Sequence, residues 1–391
     1  MDRRHQPRLR SRSCRPGRPL RTAMKILHII SGDLWAGAEV QACTLLTALQ
    51  RQGVEVAAAL MNEGELARRL RARGVPVTIF AESSLSAIAI VGALRGLMRD
   101  WLPDVVHTHR QKENILGSFA NRLSINVPSL RTAHGASEHA PRGLRQLHKR
   151  ALASLDRWSG RHLQQRVIAV SRELAAKLAR QFPAERIAVI ENGVDIAALR
   201  AQMHTADFRA AAPDATHVGI AGRLVPVKRV DLFLAMAALL REREPARAWR
   251  FHIFGDGPLA AALREQASAL RLDDALRFHG HRDDIVTCIA GLDLLVMCSD
   301  HEGMPMTLLE AAAVGTPICG HDVGGIRELL LAQDCGELVQ EHSAAAYADG
   351  VLRRLAQPRA ARPLEASPYT ADNAARRYCD VYAELLGGAA A

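Results

Sequence analysis

From Met24 onward the sequence alternates short apolar, β-branched runs with longer stretches of helical periodicity, and it does so in two successive series. The first series falls at 25–30, 54–60, 75–80, 104–109, 127–132, 166–170 and 186–190; the second falls at 217–221, 250–254, 276–279, 292–298, 316–319 and 336–339. Near-continuous apolar strands separated by amphipathic helices predict parallel sheets covered by helices on both faces, since each strand must bury both of its sides. The chain therefore reads as α/β, with two doubly wound domains. Its 391 residues agree, because single hydrophobic cores stop growing at roughly 250–300 residues.

The same pattern predicts the domain organisation. Residues 1–23 form a basic tail, 24–195 a first domain, 196–366 a second, and 367–391 a C-terminal helix that packs back across the domains. The Ala-rich, polar stretch 195–216, with Pro213, reads as the connection. In the last segment Tyr378, Tyr382 and Leu385 recur at spacings of four and three, one face of a helix.

A formal charge of +10 invites a nucleic-acid partner, but residues 1–23 hold eight arginines against the single acid Asp2. Without that tail the net charge is +3, so basicity describes the tail and no nucleic-acid partner is expected. The tail lacks an apolar core like that of a signal peptide. It reads as an overextended start with Met24 the true beginning, as a disordered basic arm, or as an organelle transit peptide. The longest apolar stretch, Ser86 to Leu94, stops at Arg95, short of the roughly 20 residues that span a bilayer. Seven cysteines without a C-x-x-C pair argue against a disulfide framework and for a reducing, cytoplasmic setting.

In doubly wound sheets ligands sit beyond the carboxyl ends of the strands, so the strand-exit loops carry the functional argument. After the first strand comes Ser31-Gly32-Asp33-Leu34-Trp35-Ala36-Gly37-Ala38-Glu39, where Gly37 allows close backbone approach to a phosphate or simply makes a tight turn. After the first strand of the second series, Gly222-Arg223-Leu224 is followed by Lys228. An Arg fork and a Lys point charge suit a diphosphate and the charge that builds on a departing nucleoside diphosphate. After 292–298 comes Asp300-His301-Glu302-Gly303-Met304-Pro305-Met306-Thr307-Leu308-Leu309-Glu310. Pro305 suits a helix start, which leaves the N–H groups of Met306 and Thr307 free for an anion, while Glu302 and Glu310 can accept from sugar and ribose hydroxyls.

Taken in order, Ala36-Gly37-Ala38-Glu39, Ala169-Val170-Ser171, Glu191-Asn192-Gly193-Val194-Asp195, Gly222-Arg223-Leu224 with Lys228, Gly255-Asp256-Gly257-Pro258, Phe278-His279-Gly280 and the pair Glu302 and Glu310 resemble the retaining family 4 glycosyltransferases. The resemblance runs from Met24 to the C-terminus, with Ala36 where many members carry a second glycine. It implies the GT-B architecture, two Rossmann-like domains facing a cleft. By residue it implies that Arg223, Lys228 and the amides of Met306 and Thr307, beside Gly303, hold the donor diphosphate. Glu302 would hold donor-sugar hydroxyls, Glu310 the ribose, and the loop near Arg282 the base through its backbone. Gly37 would let the first domain close over the donor. His134 matches the family's active-site histidine. The implied activity is sugar transfer from a UDP- or GDP-sugar to a saccharide or lipid-linked acceptor in polysaccharide or cell-envelope synthesis. Retention of anomeric configuration by same-face attack needs no side-chain nucleophile.

No cofactor is expected, since two cations on the diphosphate make a divalent ion dispensable. His107-Thr108-His109 could chelate a metal, but the sequence offers no third ligand; Asp283-Asp284 reads as helix capping or as part of a base-contacting loop. Residues 142–162 interleave Arg142, Arg145, Lys149, Arg150, Arg157 and Arg161 with Leu144, Leu147, Leu152, Leu155 and Trp158. That basic amphipathic pattern suits a solvated helix or one resting on an anionic membrane surface, which makes peripheral membrane association a further expectation. A nucleotide-sugar epimerase of the same fold is the alternative activity. A nicotinamide dehydrogenase lacks its G-x-G-x-x-G turn, and a non-catalytic binding protein would not need the cations and both glutamates.

Overall fold

A computed structural model describes residues 23–135, 147–357 and 364–387. The basic tail before residue 23 and the start of the 142–162 segment, including Arg142, Leu144 and Arg145, lie outside the described residues.

The first sheet contains β1 (Lys25–Ile30), β2 (Glu55–Leu60), β3 (Val77–Ile79), β4 (Val105–His109), β5 (Ser129–Ala133), β6 (Arg166–Ala169) and β7 (Ile187–Val189). The second contains β8 (Thr216–Ala221), β9 (Trp249–Phe254), β10 (Leu276–Gly280), β11 (Leu294–Met297), β12 (Ile318–His321) and β13 (Gly336–Val339). Every pairing is parallel, in the orders β3-β2-β1-β4-β5-β6-β7 and β10-β9-β8-β11-β12-β13. Each strand series expected from the sequence thus becomes one sheet. The order reverses at β1 between β2 and β4, and at β8 between β9 and β11, which marks the carboxyl ends of those strands as the ligand crevices.

Alternate residues of β1 feed opposite cores. Ile26 and Ile30 pack toward the helices Gly37–Arg51 and Ala371–Gly387, while Leu27 and Ile29 pack toward Ala87–Trp101 and Gln111–Arg122. The C-terminal helix Ala371–Gly387 buries Tyr378, Tyr382 and Leu385, as their spacing predicts, and packs on Gly37–Arg51 in the core of the first sheet.

The chain passes between the sheets twice, side by side. Val194 N donates to Tyr369 O at 2.9 Å and Ala371 N donates to Val194 O at 2.9 Å. The stretch 195–216 is not an irregular connection: it carries the helices Ile196–Ala201 and Asp207–Ala211. Its alanines favour helix, Asp195 caps the first by accepting from Ala198 N at 3.1 Å, and that helix packs on Met306–Val314. An apolar cluster containing Ala169, Val170 and Leu174 from the first half and Met297, Met304 and Leu308 from the second makes the halves contiguous. No helix among the described residues is long and apolar enough to cross a membrane.

Candidate active site in the cleft

The site in the second half is built where two exit loops of the second sheet meet. The loop after β8 opens on Gly222 at φ +150° and passes close to the loop after β9: a Cβ on Gly255, at φ +124°, would fall 2.0 Å from the Gly222 carbonyl oxygen. Only glycine tolerates that conformation and contact. The Arg223 side chain is exposed, and its guanidinium makes no ion pair among the described residues. Lys228 closes a short 3-10 turn, Pro226–Lys228, and points its Nζ at Glu302 Oε1 at 2.5 Å. Ser299 Oγ donates to the same oxygen at 2.6 Å. The glutamate therefore sits between a cation and a hydroxyl on the exit loop of β11.

That exit loop is pinned from behind. His321 Nδ1 lies 2.8 Å from Ser299 O, and His342 Nε2 lies 2.6 Å from Cys298 O, the two rings stacked at 4.0 Å. Arg229 bridges Asp231 at 2.9 Å and Asp300 at 3.3 Å, and Asp300 N donates to Val227 O at 2.9 Å, so the exits of β8 and β11 are tied to each other.

Beyond the loop the helix Met306–Val314 starts at Pro305 and ends on Gly315 in the left-handed region. The N–H groups of Met306 and Thr307 stand in its first turn, where no intrahelical acceptor exists. Glu310 lies on the next turn, 7% exposed, with no partner for its Oε2. Burial in apolar surroundings pushes its carboxyl up to about 7.

The first half contributes the end of β5. His134 lies just past that strand, with its Nε2 3.0 Å from His109 Nδ1 and its Nδ1 unpartnered. Burial, with Arg110 nearby, lowers its imidazole to about 3, so the ring is neutral at physiological pH. Gly303, on the exit loop of β11, touches this residue: a Cβ there would fall 2.1 Å from the His134 carbonyl oxygen. Two further contacts tie the halves together here. Asn192 Nδ2, just past β7, donates to Met304 O at 2.8 Å, and Glu173 and Glu328 accept from the Gly324 and Arg172 amides across the junction.

His134, Gly135, Leu174 and Lys177 from the first half, with Val227, Lys228, His301, Glu302 and Gly303 from the second, line one cavity of about 180 Å³. Arg223 lines a small adjoining pocket with Lys228 and Ser299. The structure thus brings His134, Lys228, Glu302 and Gly303 into one cavity, with Arg223 beside it. Gly37, Arg282, Met306, Thr307 and Glu310 do not line it. Gly37 is the first residue of its helix with open space where a Cβ would stand. The Arg282 guanidinium is held by Asp284 at 2.7 and 2.8 Å and by Asp207 at 3.2 Å, which leaves only the backbone of its loop for a ligand. For the same reason Asp284 occupies the cap position without making a side-chain cap bond, its carboxylate serving the loop at Arg282 instead.

The missing third partner of His107 and His109 is His28. β1 and β4 are neighbours with His28 opposite His107, and the three rings offer nitrogens within 4.8 Å of one another. The strand order carries that signal; local spacing does not. Yet His107 already binds the Tyr382 hydroxyl at 2.7 Å and the Thr132 hydroxyl at 2.8 Å, and His28 Nδ1 binds His109 at 3.1 Å, so among the three rings His28 Nε2 alone is not engaged in a hydrogen bond. Ser299 and the grip of Asn192 on Met304 are site features that motif reading also missed.

Two family models match the chain: "Glycosyltransferase Family 4" over residues 35–198 and "Glycosyl transferases group 1" over residues 215–357. The chain belongs to glycosyltransferase family 4. Among its relatives, the Streptomyces fradiae 2-deoxystreptamine N-acetyl-D-glucosaminyltransferase is 30% identical over 61% of this chain and 60% of that enzyme. A Streptomyces bingchenggensis D-inositol 3-phosphate glycosyltransferase is 32% identical over 57% of this chain and 53% of that one. The chain therefore spans little more than half the length of these two. The Escherichia coli UDP-Gal:alpha-D-GlcNAc-diphosphoundecaprenol alpha-1,3-galactosyltransferase is 25% identical over 81% of this chain and 87% of that enzyme. In fold, Anabaena HepE in complex with UDP-glucose matches with a TM-score of 0.75 at 19% identity, over 92% of this chain and all (100%) of that one. Sucrose-phosphate synthase from Thermosynechococcus elongatus matches at 0.73 and 19%, over 93% and 100%. The family 4 chain has the GT-B architecture, as its sequence motifs imply.

Proposed function

We propose that this cleft binds a nucleoside-diphosphate sugar and transfers the sugar to a hydroxyl acceptor with retention of anomeric configuration. The observation that carries the reading is the meeting of Lys228 and Glu302, from the exits of β8 and β11, with His134 at one cavity between the two sheets. A cation and a carboxylate in contact suit the junction of a diphosphate with a sugar: the ammonium takes phosphate charge while the carboxylate accepts from sugar hydroxyls. Arg223, exposed and without an ion pair, completes the clamp, and the first-turn amides of the helix Met306–Val314 and Glu310 continue it toward the ribose. The loop at Arg282 offers backbone groups to the base. Gly37, at the facing helix start, leaves room for the donor.

As the glycosidic bond to phosphate lengthens, positive charge develops on the sugar and negative charge on the leaving diphosphate. The clamp stabilises the second, and the leaving phosphate oxygen takes the proton of the attacking hydroxyl on the same face. The reaction then rests on positioning and charge stabilisation and needs neither a side-chain nucleophile nor a divalent ion.

The E. coli relative's name, with UDP-galactose as donor and a lipid diphosphate-linked sugar as acceptor, supports a UDP-sugar and a lipid-linked saccharide here. So does the helix Leu147–Leu163, whose exposed Leu152, Leu155 and Trp158 lie among cations. Peripheral association with the cytoplasmic face of the membrane follows as part of the same proposal.

The test is a thermal-shift screen of UDP- and GDP-sugars, since a ligand that binds only the native state raises its melting temperature. Stabilisation by a UDP-sugar, followed by α-linked product from an α-linked donor, is the expected result. No shift with any donor would defeat the site, and an inverted product would defeat retention. Conversion of donor alone into its epimer would favour the epimerase instead.

A further inference from the structure

Across the junction between the halves two helices cap each other. The helix Arg172–Leu178 follows β6, and its first amide, Arg172 N, donates to Glu328 Oε1 at 2.7 Å. The helix Gly324–Gln333 follows β12, and its first amide, Gly324 N, donates to Glu173 Oε2. Each glutamate therefore sits on one helix and serves the other. Ser171 also caps the first helix from its own chain, accepting from Leu174 N at 3.3 Å, whereas the cap position of the second is held by Val323, whose side chain cannot accept. The first amides of a helix have no acceptor within it, and valine is among the poorest caps. The second helix thus draws its acceptors from elsewhere: Glu173 for Gly324 N, and Gly303 O for Gly325 N at 2.6 Å.

Both helices reach the cavity. The first places Leu174 and Lys177 in its lining, and Lys177 Nζ pairs with Glu173 at 2.5 Å. The second presses on the exit loop of β11, where a Cβ on Gly324, at φ +53°, would fall 2.2 Å from Glu302 O. The same loop meets the His134 carbonyl at Gly303. The spacing of these two helices therefore sets how far the Glu302 loop stands from the first half. A separate tie, Asn192 to Met304, starts just past β7 and involves neither helix.

We propose that Glu173 and Glu328 are positioning residues that act as one latch: their reciprocal caps hold the first half against the exit loop of β11, and sugar transfer proceeds from that latched arrangement. The proposal rests on the donor-site reading above and adds what holds the cleft together. Parting the halves breaks both caps at once, because both span the same two helices. Arg223 and Lys228 lie in the second half alone, so the diphosphate binds whether or not the latch is made. Transfer, which needs groups of both halves at one cavity, does not proceed without it.

The experiment has two arms, both on the full chain. Amide hydrogen exchange is followed by NMR in Glu328→Ala, which removes the acceptor of Arg172 N and leaves Gly324 N with Glu173. One latch predicts faster exchange at Gly324 N too, by about five-fold, the worth of a helix cap. Unchanged exchange at Gly324 N makes the two bonds separate local caps and overturns the proposal. In the second arm Glu173→Ala and Glu328→Ala are combined. Their kcat/KM for transfer should fall about ten-fold, the scale of two lost caps, with UDP affinity unchanged. Glu173→Gln with Glu328→Gln removes the same charges but keeps an oxygen for each amide, and should recover most of that loss. Parent-level transfer in the alanine pair shows that the caps only stabilise their helices, and an equal loss in the glutamine pair assigns the effect to charge at Lys177; either overturns the proposal. A parent chain that binds no UDP counts against the donor-site reading, while the exchange arm still decides the latch.

Discussion

Lys228 and Glu302 hold each other at 2.5 Å across the exits of the two central strands of the second sheet. The pair is largely withdrawn from water, with side-chain exposures of 25% and 11%, so neither charge is free to relax into solvent. On the proposed reading, a diphosphate arriving here would share the ammonium with the carboxylate rather than displace it. Lys228→Ala removes the cation and leaves Glu302 with only Ser299, so two negative groups then face each other. UDP affinity should fall by one to two orders of magnitude, the range for a charge-assisted hydrogen bond, as read by titration calorimetry. On the proposed reading cationic side chains do this work, so a chelator should leave both UDP affinity and transfer rate unchanged.

Glu310 gives a pH-dependent counterpart. Its carboxyl ionises near 4.5 in a free chain and at about 7 in the folded one. The stability that comes from keeping it protonated is therefore complete below pH 4.5 and is lost as pH rises through 7. Glu310→Gln stays neutral, so the variant should match the parent near pH 4.5 and exceed it at pH 8 by about 3 kcal/mol in the ligand-free state. Glu113, also raised to about 7 by burial, is present in both chains and cancels. At pH 8 the same variant should bind UDP about ten-fold more weakly, because the ribose hydroxyls lose an ionised acceptor. Denaturant melts across this range, paired with calorimetry, check both signs.

The contrast between Lys228 and His28 shows what local sequence carries and what it omits. Strand exits are recognisable because β-branched runs stop where glycines and charges begin, so Arg223, Lys228, Glu302 and Glu310 stand out on local chemistry alone. The contact of Lys228 with Glu302 is a different matter: 74 residues separate them, and only the adjacency of β8 and β11 brings them together. His28 sits inside an apolar strand with no polar neighbour to mark it, and becomes visible only when β1 pairs with β4. The helices within 195–216 were masked by Pro213 and polar residues, although the alanines and Asp195 held the helix signal.

Gly303 marks where the two halves touch. A side chain there would press on the His134 carbonyl oxygen at 2.1 Å and on Val170 at 2.9 Å. Backbone cannot yield as a flexible side chain can, so Gly303→Ala should part the halves at the cleft. Arg223, Lys228 and Glu310 all sit in the second half, and UDP affinity should change by less than about three-fold. Transfer, which on the proposed reading needs His134 against the bound sugar, should fall at least about a hundred-fold, the scale of a misplaced catalytic group. Small-angle scattering should show a larger radius of gyration for the variant with UDP bound. Wild-type turnover in Gly303→Ala would show that closure at this contact is not part of the reaction.

The helix Leu147–Leu163 presents the remaining test. It is anchored inward by Asp156, which pairs with the buried Arg131 at 2.6 Å. Outward it leaves Leu152 at 47% exposure, Leu155 at 37% and Trp158 at 46%, with Lys149, Arg150, Arg157 and Arg161 on the same helix. Apolar groups exposed among cations suit the headgroup region of an anionic bilayer, where the side chains enter the acyl boundary and the charges stay with phosphate. Vesicles containing phosphatidylglycerol should therefore carry the protein upward in a flotation gradient, and phosphatidylcholine vesicles should not. Because each cation near such a surface is worth about 1 kcal/mol and is screened by salt, binding should weaken steeply between low and 0.5 M salt. Leu155→Ser with Trp158→Ser should reduce partitioning about ten-fold or more, from the apolar area withdrawn, while transfer to a soluble saccharide acceptor stays unchanged. Equal flotation with both lipids, or none with either, would leave this face an ordinary solvated surface.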